Sequence, residues 1–150
     1  MYSIETFIEL PIAVSNAYDT KGNILPTLTG CNYFVTVSLT SNELDKNGMI
    51  VDFKKMKKII HEYFDQYDHS LILTPENPLA KAYLDNFKEN GIDAERSRLF
   101  IWKQSPTAEY MSYYWYQIFK KKFIDVGIDV SKLVIQVEET SHNSVEYTED

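Results

Sequence analysis

Two pairs of adjacent polar residues have the side-chain types that proton transfer and ligand binding use. In Asp68-His69, a carboxylate beside an imidazole can orient the ring for proton transfer. The same pair follows a helical pattern, and a histidine there can interact favourably with the negative end of the helix dipole. On the pair alone, the helix-end interpretation is favoured and the proton relay is the alternative.

The second pair, Glu138-Glu139, ends an alternating apolar segment. Strand alternation places Glu139 on the apolar side with Ile135 and Val137, and places Glu138 on the opposite side. A carboxylate on an inward face is unfavourable unless it is paired or binds something. Its two oxygens can accept parallel hydrogen bonds from the amino and ring N–H groups of a pterin or purine. The alternative is a strand-end side chain that turns into solvent.

Hydrophobic periodicity predicts the elements that must position these residues. Period-2 alternation predicts strands over residues 3–10, 32–40, 98–102 and 132–139. A 3.6-residue period predicts helices that begin at Asp52, Asn77-Pro78 and Ser105-Pro106. Residues 15–28 have loop composition, and residues 42–48 have turn composition. The order predicts an α+β fold in which an antiparallel β-sheet carries helices on one face.

Length and charge limit the possible classes of protein. The chain has 150 residues, which predicts a single domain over residues 1–150 with a polar tail from about residue 148. Its 15 basic and 22 acidic residues give a formal net charge of -7, which argues against nucleic acid or an anionic membrane as partner. One cysteine, no leader and no apolar run of transmembrane length predict a soluble cytoplasmic protein.

Five short segments together resemble the family of 6-pyruvoyl-tetrahydropterin synthase and 6-carboxy-tetrahydropterin synthase. They occur in the family's order and at about its spacing, and the resemblance runs from about Ile4 to Tyr147. The segments are Asn32-Tyr33, Asp45 with Gly48–Phe53, Asp68-His69, Pro106–Glu109 and Glu139-Thr140. The resemblance implies the tunnelling fold (T-fold), in which sheets from three subunits close into a barrel and two trimers usually stack. It therefore implies a homo-oligomer, a trimer or hexamer, with active sites between subunits.

The resemblance also implies a zinc site that this sequence does not preserve. Family members bind zinc through three histidines, and a nearby cysteine works with the Asp-His pair in proton transfer. The three histidine positions hold Asn16, Thr29 and Cys31, and the cysteine position holds Leu25. Catalytic zinc needs about three donors among thiolate, imidazole and carboxylate. We therefore expect no zinc cofactor, and we do not expect the family's zinc-dependent carbon–oxygen lyase chemistry.

The remaining residues predict a divergent member, a pseudoenzyme, that binds a pterin or purine-like ring between subunits. In the family, a glutamate on the last strand holds the pterin ring, which implies Glu139 and Thr140 as binding residues. One alternative is a non-catalytic assembly or regulatory subunit. Another is an active pterin-pathway lyase or aldolase with rearranged chemistry, in which Asp68 and His69 act as a residual relay. The sequence therefore leaves enzymatic activity open.

Overall fold

The computed structural model describes residues 1–150 and contains six strands and three α-helices. The strands are β1 (Tyr2–Tyr18), β2 (Ile24–Ser41), β3 (Ser70–Leu73), β4 (Leu99–Ile101), β5 (Leu133–Thr140) and β6 (Asn143–Thr148). The helices are α1 (Phe53–Phe64), α2 (Pro78–Asn90) and α3 (Ala108–Asp125). A 3₁₀ turn (Asp65–Tyr67) follows α1. None of the helices has the length and apolar character needed to cross a membrane.

All six strands belong to one sheet in the order β4-β3-β1-β2-β5-β6. The β1–β2, β2–β5 and β5–β6 pairs are antiparallel, whereas β3 pairs with β1 and β4 pairs with β3 in parallel. The three helices lie on one side of the sheet, so the predicted α+β fold class is confirmed. The parallel strands make the sheet mixed, and neither β3 nor β6 was predicted from the sequence.

The predicted loop over residues 15–28 is wrong, because β1 and β2 continue through most of it as one long hairpin. The turn that joins them is short. The Asp19 carboxylate accepts hydrogen bonds from the Lys21 and Asn23 backbone N–H groups, at 2.8 and 2.9 Å. Gly22 supplies the left-handed backbone conformation, with φ 81°. These local bonds confine the reversal to a few residues, and the polar residues on either side remain in the strand ladder.

The hydrophobic core lies between the helices and the inward side of β1, β2 and β5. Its buried strand residues include Ile4, Leu10, Ile12, Val14, Tyr33, Val35, Val37, Leu39, Leu133, Ile135 and Val137. The strand residues alternate as period-2 burial requires. From the helices, Phe64, Trp115 and Phe119 form an aromatic cluster, with ring centroids 4.9 Å apart for Phe64–Trp115 and 5.2 Å apart for Phe64–Phe119. This core supports the centre of the sheet.

The helix starts follow the capping signals in the sequence. The side chains of Asp52 and Asn77 accept hydrogen bonds from the backbone N–H groups of Lys54 and Leu79, as N-cap residues do. The third helix begins two residues after the predicted N-cap region, because Thr107 is its N-cap. Pro106 therefore precedes the helix.

The C-terminal residues are attached to the fold. Thr148 belongs to β6, and its hydroxyl donates to the Leu133 carbonyl at 2.7 Å. The Glu149 carboxylate accepts hydrogen bonds from Gln117 and Lys120 on α3, at 2.7 and 2.6 Å. The polar segment after residue 147 thus contacts both the sheet and a helix.

Candidate functional site

The Asp68-His69 pair lies at a corner between the 3₁₀ turn and β3. Asp68 is extended, with φ −61° and ψ 122°, and His69 is left-handed, with φ 57°. His69 Nδ1 lies 3.0 Å from Asp68 Oδ1, which is hydrogen-bond distance. Asp65 is the C-cap of α1, so His69 lies a full turn beyond the end of that helix. The geometry is that of an oriented acid–imidazole pair rather than a histidine on the last turn of a helix.

His69 opens onto a cleft at the edge of the hairpin. The cleft has a volume of about 400 Å³, and its lining includes Pro11, Ala13, Gly30, Asn32 and His69. The imidazole is largely exposed, with 78% of its side-chain surface accessible. A solute in this cleft would therefore reach His69 without displacing any core side chain.

The three positions of the family's zinc histidines lie on one face of the hairpin. Thr29 pairs with Val14, and Cys31 pairs with Ile12; directly opposed residues in a sheet point to the same side. Val14 and Ile12 are buried on the helix side, so Thr29 and Cys31 project to that side. Asn16 lies two residues beyond Val14 in β1, so strand alternation places its side chain on the same side. The three side chains therefore share one face of the hairpin.

The donors at those positions do not fit a zinc ion. The chain contains no group of three or more His, Cys, Asp or Glu side chains that could hold a metal. Asn16 and Thr29 offer an amide and a hydroxyl, which are weak zinc donors. Leu25, at the family's cysteine position, is 59% exposed near the start of β2 and has no group that transfers a proton. No chemical step through zinc can be assigned to these residues.

Cys31 has a buried neighbour, Tyr33, whose interaction with the thiol was not predicted from the sequence. Partial burial raises the pKa of the Cys31 thiol; the Glu139 charge adds a smaller rise, and the Tyr33 hydroxyl bond opposes them. Burial is also the main reason that the pKa of Tyr33 is raised, with smaller contributions from Cys31 and Glu139. Since the thiolate is the reactive and metal-binding form of cysteine, a raised pKa keeps Cys31 in its less reactive form. The signal for Tyr33 was its alternation with Cys31 along β2.

The Glu139 side chain is exposed, so it is not buried with Ile135 and Val137, and the alternative of a strand-end side chain in solvent describes it. The pairing of β5 with β6 shifts register between Glu138 and Thr140, and such an irregularity ends the simple alternation of side chains. The negative charge of Glu139 nevertheless contributes to the raised pKa of both Cys31 and Tyr33, so its carboxylate lies near them. An exposed carboxylate avoids the desolvation cost on which the original prediction rested.

Both strand-end glutamates line a second, smaller cleft. This cleft has a volume of about 270 Å³ and is lined by Glu9, Asn32, Phe34, Glu138, Glu139, Thr140 and Ser141. The Thr140 hydroxyl already accepts a hydrogen bond from the His142 backbone N–H at 3.2 Å. It keeps its own proton to donate to a ligand. Glu138 was expected to be remote from any site of Glu139, but the two share this cleft.

The two clefts meet at Asn32, which lines both. Asp68-His69 is therefore adjacent to the cleft of Glu139 and Thr140, and the two groups do not share one pocket within a single chain. An assembly with other subunits could bring further groups to either cleft. Within this chain, the acid–imidazole pair and the candidate ring-binding carboxylate are neighbouring sites.

The fold is found in solved structures of low sequence identity. An uncharacterised protein from Wolinella succinogenes aligns over 100% of both chains with a TM-score of 0.73 and 17% identity. The 6-pyruvoyl tetrahydropterin synthase of Plasmodium vivax aligns over 98% of both chains with a TM-score of 0.62 and 17% identity. That of Caenorhabditis elegans has a TM-score of 0.62 and 19% identity, covering 99% of this chain and 96% of the other. The mixed sheet with helices on one side is thus the T-fold.

Sequence comparison defines the family. The family model described as 6-pyruvoyl tetrahydropterin synthase matches residues 20–150, and the chain belongs to that family. A 6-carboxy-5,6,7,8-tetrahydropterin synthase from Aquifex aeolicus is 26% identical over 125 residues, covering 82% of this chain and 75% of the relative. One from Rickettsia felis is 30% identical over 111 residues, covering 71% and 73%. The suspected resemblance is confirmed at the level of the family.

Proposed function

We propose that this chain binds a pterin or purine-like ring without the family's zinc-dependent lyase chemistry. The observation that carries this proposal is the exposed Glu139 carboxylate in a cleft beside Thr140. A free carboxylate can accept two parallel hydrogen bonds from adjacent N–H groups of such a ring. The family and the names of the relatives, 6-carboxy-5,6,7,8-tetrahydropterin synthases, supply the class of ligand.

An aromatic surface beside the carboxylate supports the same ligand class. Phe34 lines the Glu139 cleft and is 38% exposed. It stacks on Phe7 with ring centroids 5.7 Å apart, so the two rings form one aromatic surface. A planar heterocycle that enters the cleft can gain both an aromatic contact and carboxylate hydrogen bonds. The cleft is small and open to solvent within one chain, so the proposal includes a second subunit that covers the ring.

The side chains at the three zinc-histidine positions also limit the activity that we propose. Asn16, Thr29 and Cys31 cannot supply three strong zinc donors, so the chain lacks the group that would polarise the substrate in the family's reaction. The proposed protein therefore recognises the ring and does not carry out zinc-assisted elimination. Pseudoenzyme is the corresponding description.

Two other functions have observations in their favour. An assembly or regulatory subunit is favoured by exposed apolar side chains along the distal hairpin, which are suited to contact with another chain. These residues are Tyr18, Ile24, Leu25 and Leu28. An active lyase or aldolase with rearranged chemistry is favoured by the 3.0 Å contact of Asp68 with His69. Both remain second to ring binding, because Glu139 lies in a cleft with an exposed aromatic ring and is the residue that the family resemblance implies in ring recognition.

Native mass spectrometry of the purified protein tests the proposed function and its alternatives together. The spectrum reports the number of subunits, any metal and any retained small molecule. A retained pterin or guanine-like mass on a metal-free oligomer is the expected result. If no ring is retained and none binds in calorimetry, ring binding is wrong and the assembly function takes its place.

A further inference from the structure

Two neighbouring strands begin immediately after residues with an unusual backbone conformation. His69 precedes β3 and Arg98 precedes β4, and both have φ 57°. They are the only residues other than glycine with positive φ in the chain. A left-handed conformation at such residues is strained and persists where surrounding contacts fix it. The two corners lie side by side, because β3 and β4 pair in parallel from Leu71 and Leu99 onward.

One side chain joins the two corners. The Arg98 guanidinium donates from Nη1 to the Asp65 carbonyl at 2.7 Å and to the Asp68 carbonyl at 2.6 Å. The first bond fixes the beginning of the 3₁₀ turn, and the second fixes the peptide group that enters His69. Hydrogen bonds from a charged donor are stronger than neutral ones. Arg98 therefore holds the segment that carries the Asp68-His69 pair although it lies about 30 residues away in sequence.

Backbone bonds complete the attachment of this corner. The His69 N–H donates to the Pro11 carbonyl at 2.9 Å, and the Leu71 N–H donates to the Arg98 carbonyl at 3.0 Å. These bonds anchor the corner to β1 on one side and to β4 on the other. The His69 N–H and the Asp68 carbonyl belong to one peptide group, so Pro11 and Arg98 hold that group from its two ends, and the guanidinium also holds the turn before it. Without Arg98, the segment before His69 would lose its only hydrogen bonds from a charged side chain of the neighbouring corner.

The left-handed conformation matters for the acid–imidazole contact. Consecutive side chains in an extended chain point to opposite sides, so an adjacent aspartate and histidine do not usually face each other. Here Asp68 is extended and His69 is left-handed, and the two side chains meet at 3.0 Å. We propose that Arg98 is a positioning residue that holds Asp68 and His69 in this proton-transfer geometry.

The proposal has a definite consequence for the imidazole. A carboxylate oxygen can only accept, so the contact at Nδ1 requires the proton on Nδ1 and leaves Nε2 as an acceptor in the neutral ring. Nε2 is then the atom that can take a proton from a solute in the adjoining cleft. This inference goes beyond ring binding, since it holds whether or not Glu139 recognises a ligand.

Nitrogen NMR of the histidine rings tests the inference in the full-length protein. The chain has three histidines, so His61 and His142 serve as internal references in long-range ¹H–¹⁵N spectra at mildly alkaline pH, where imidazoles are neutral. We expect His69 of the unmodified protein to carry its proton on Nδ1. Arg98→Met should abolish this preference, with little change at the other two histidines. Arg98→Lys should retain part of it, because an ammonium keeps the charge but lacks the planar guanidinium fork.

Arg96 supplies the matched control. It is two residues away and exposed, and its ion pair is with Asp93 at 3.9 Å. Arg96→Met should leave the His69 spectrum unchanged. The inference is overturned if folded Arg98→Met keeps the original His69 pattern, or if Arg96→Met changes His69 equally. If Arg98→Met does not fold, Arg98→Lys decides: an unchanged His69 pattern overturns the inference, and a partial loss of the Nδ1 proton supports it.

Discussion

Glu139→Gln is the substitution that tests ring recognition most directly. The change removes the charge and replaces one carboxylate oxygen by an NH₂ group, so one acceptor becomes a donor that faces a donor on the ring. A hydrogen bond to a charged group contributes about 1.5–3 kcal/mol. Glu139 is exposed in its cleft, and solvent screening reduces the effect of such a group. We therefore expect a loss of about 1–2 kcal/mol, or roughly a 5–30-fold weaker Kd.

Titration calorimetry with a pterin and with guanine measures this loss. Folding should change little, because exposed substitutions usually alter stability by less than about 0.5 kcal/mol. Glu146→Gln is the matched control, since Glu146 is an exposed glutamate on β6 opposite Gln136 and does not line the cleft. Glu138→Gln should cause a smaller loss than Glu139→Gln, because both carboxylates line the cleft but only Glu139 is implied in ring recognition.

Two outcomes would refute the reasoning about Glu139. The first is that no ring binds the unmodified protein at millimolar concentrations. The second is that Glu139→Gln and Glu146→Gln weaken binding equally, which would mean that only net charge matters. In either case the cleft is not a ring site, and the exposed hairpin makes the assembly function the leading one.

Four further predictions concern the metal, the thiol, the core and the assembly. Elemental analysis should find no stoichiometric zinc; about one zinc per chain that is lost on Cys31→Ala would contradict the donor argument. Glu139→Gln should speed alkylation of Cys31 at a fixed pH near neutrality, because removal of the nearby negative charge lowers the thiol pKa; an unchanged pH–rate profile would show that the two groups do not interact. Phe119→Ala should lower the free energy of unfolding in urea by about 3–5 kcal/mol, because Phe119 is fully buried; a loss below about 1 kcal/mol would mean that the aromatic cluster is not a tightly packed core. Sedimentation should show a trimer or hexamer, and a monomer at micromolar concentration would contradict barrel assembly.

The parts of the fold that could be predicted are those with local signals. Asp52 and Asn77 are N-caps in the structure, because side-chain capping depends on residues two or three positions away. β3 was missed since its four residues, SLIL, are too few and too uniformly buried to show alternation. β6 was missed because its side chains are largely exposed, and its strand conformation depends on pairing with β5.

The candidate site was predictable to a similar extent. Asp68 and His69 are adjacent in sequence, so their contact could be anticipated as one of two alternatives. The exposure of Glu139 was likewise one of two alternatives, but the shift in register between Glu138 and Thr140 could not be anticipated. Arg98 gives no local signal either, since its two carbonyl partners belong to residues about 30 positions away. Such contacts depend on which strands become neighbours, and residue patterns do not specify that.

The loss of zinc donors and the retention of an oriented acid–imidazole pair are physically independent in this fold. The hairpin is held by backbone hydrogen bonds in continuous antiparallel register from Tyr2 to Asn16. The side chains at positions 16, 29 and 31 can therefore change without altering the strands that display them. The corner of His69 depends instead on Arg98 and on β1 and β4. Substitutions at these hairpin positions therefore leave an ordered imidazole next to the cleft of Glu139.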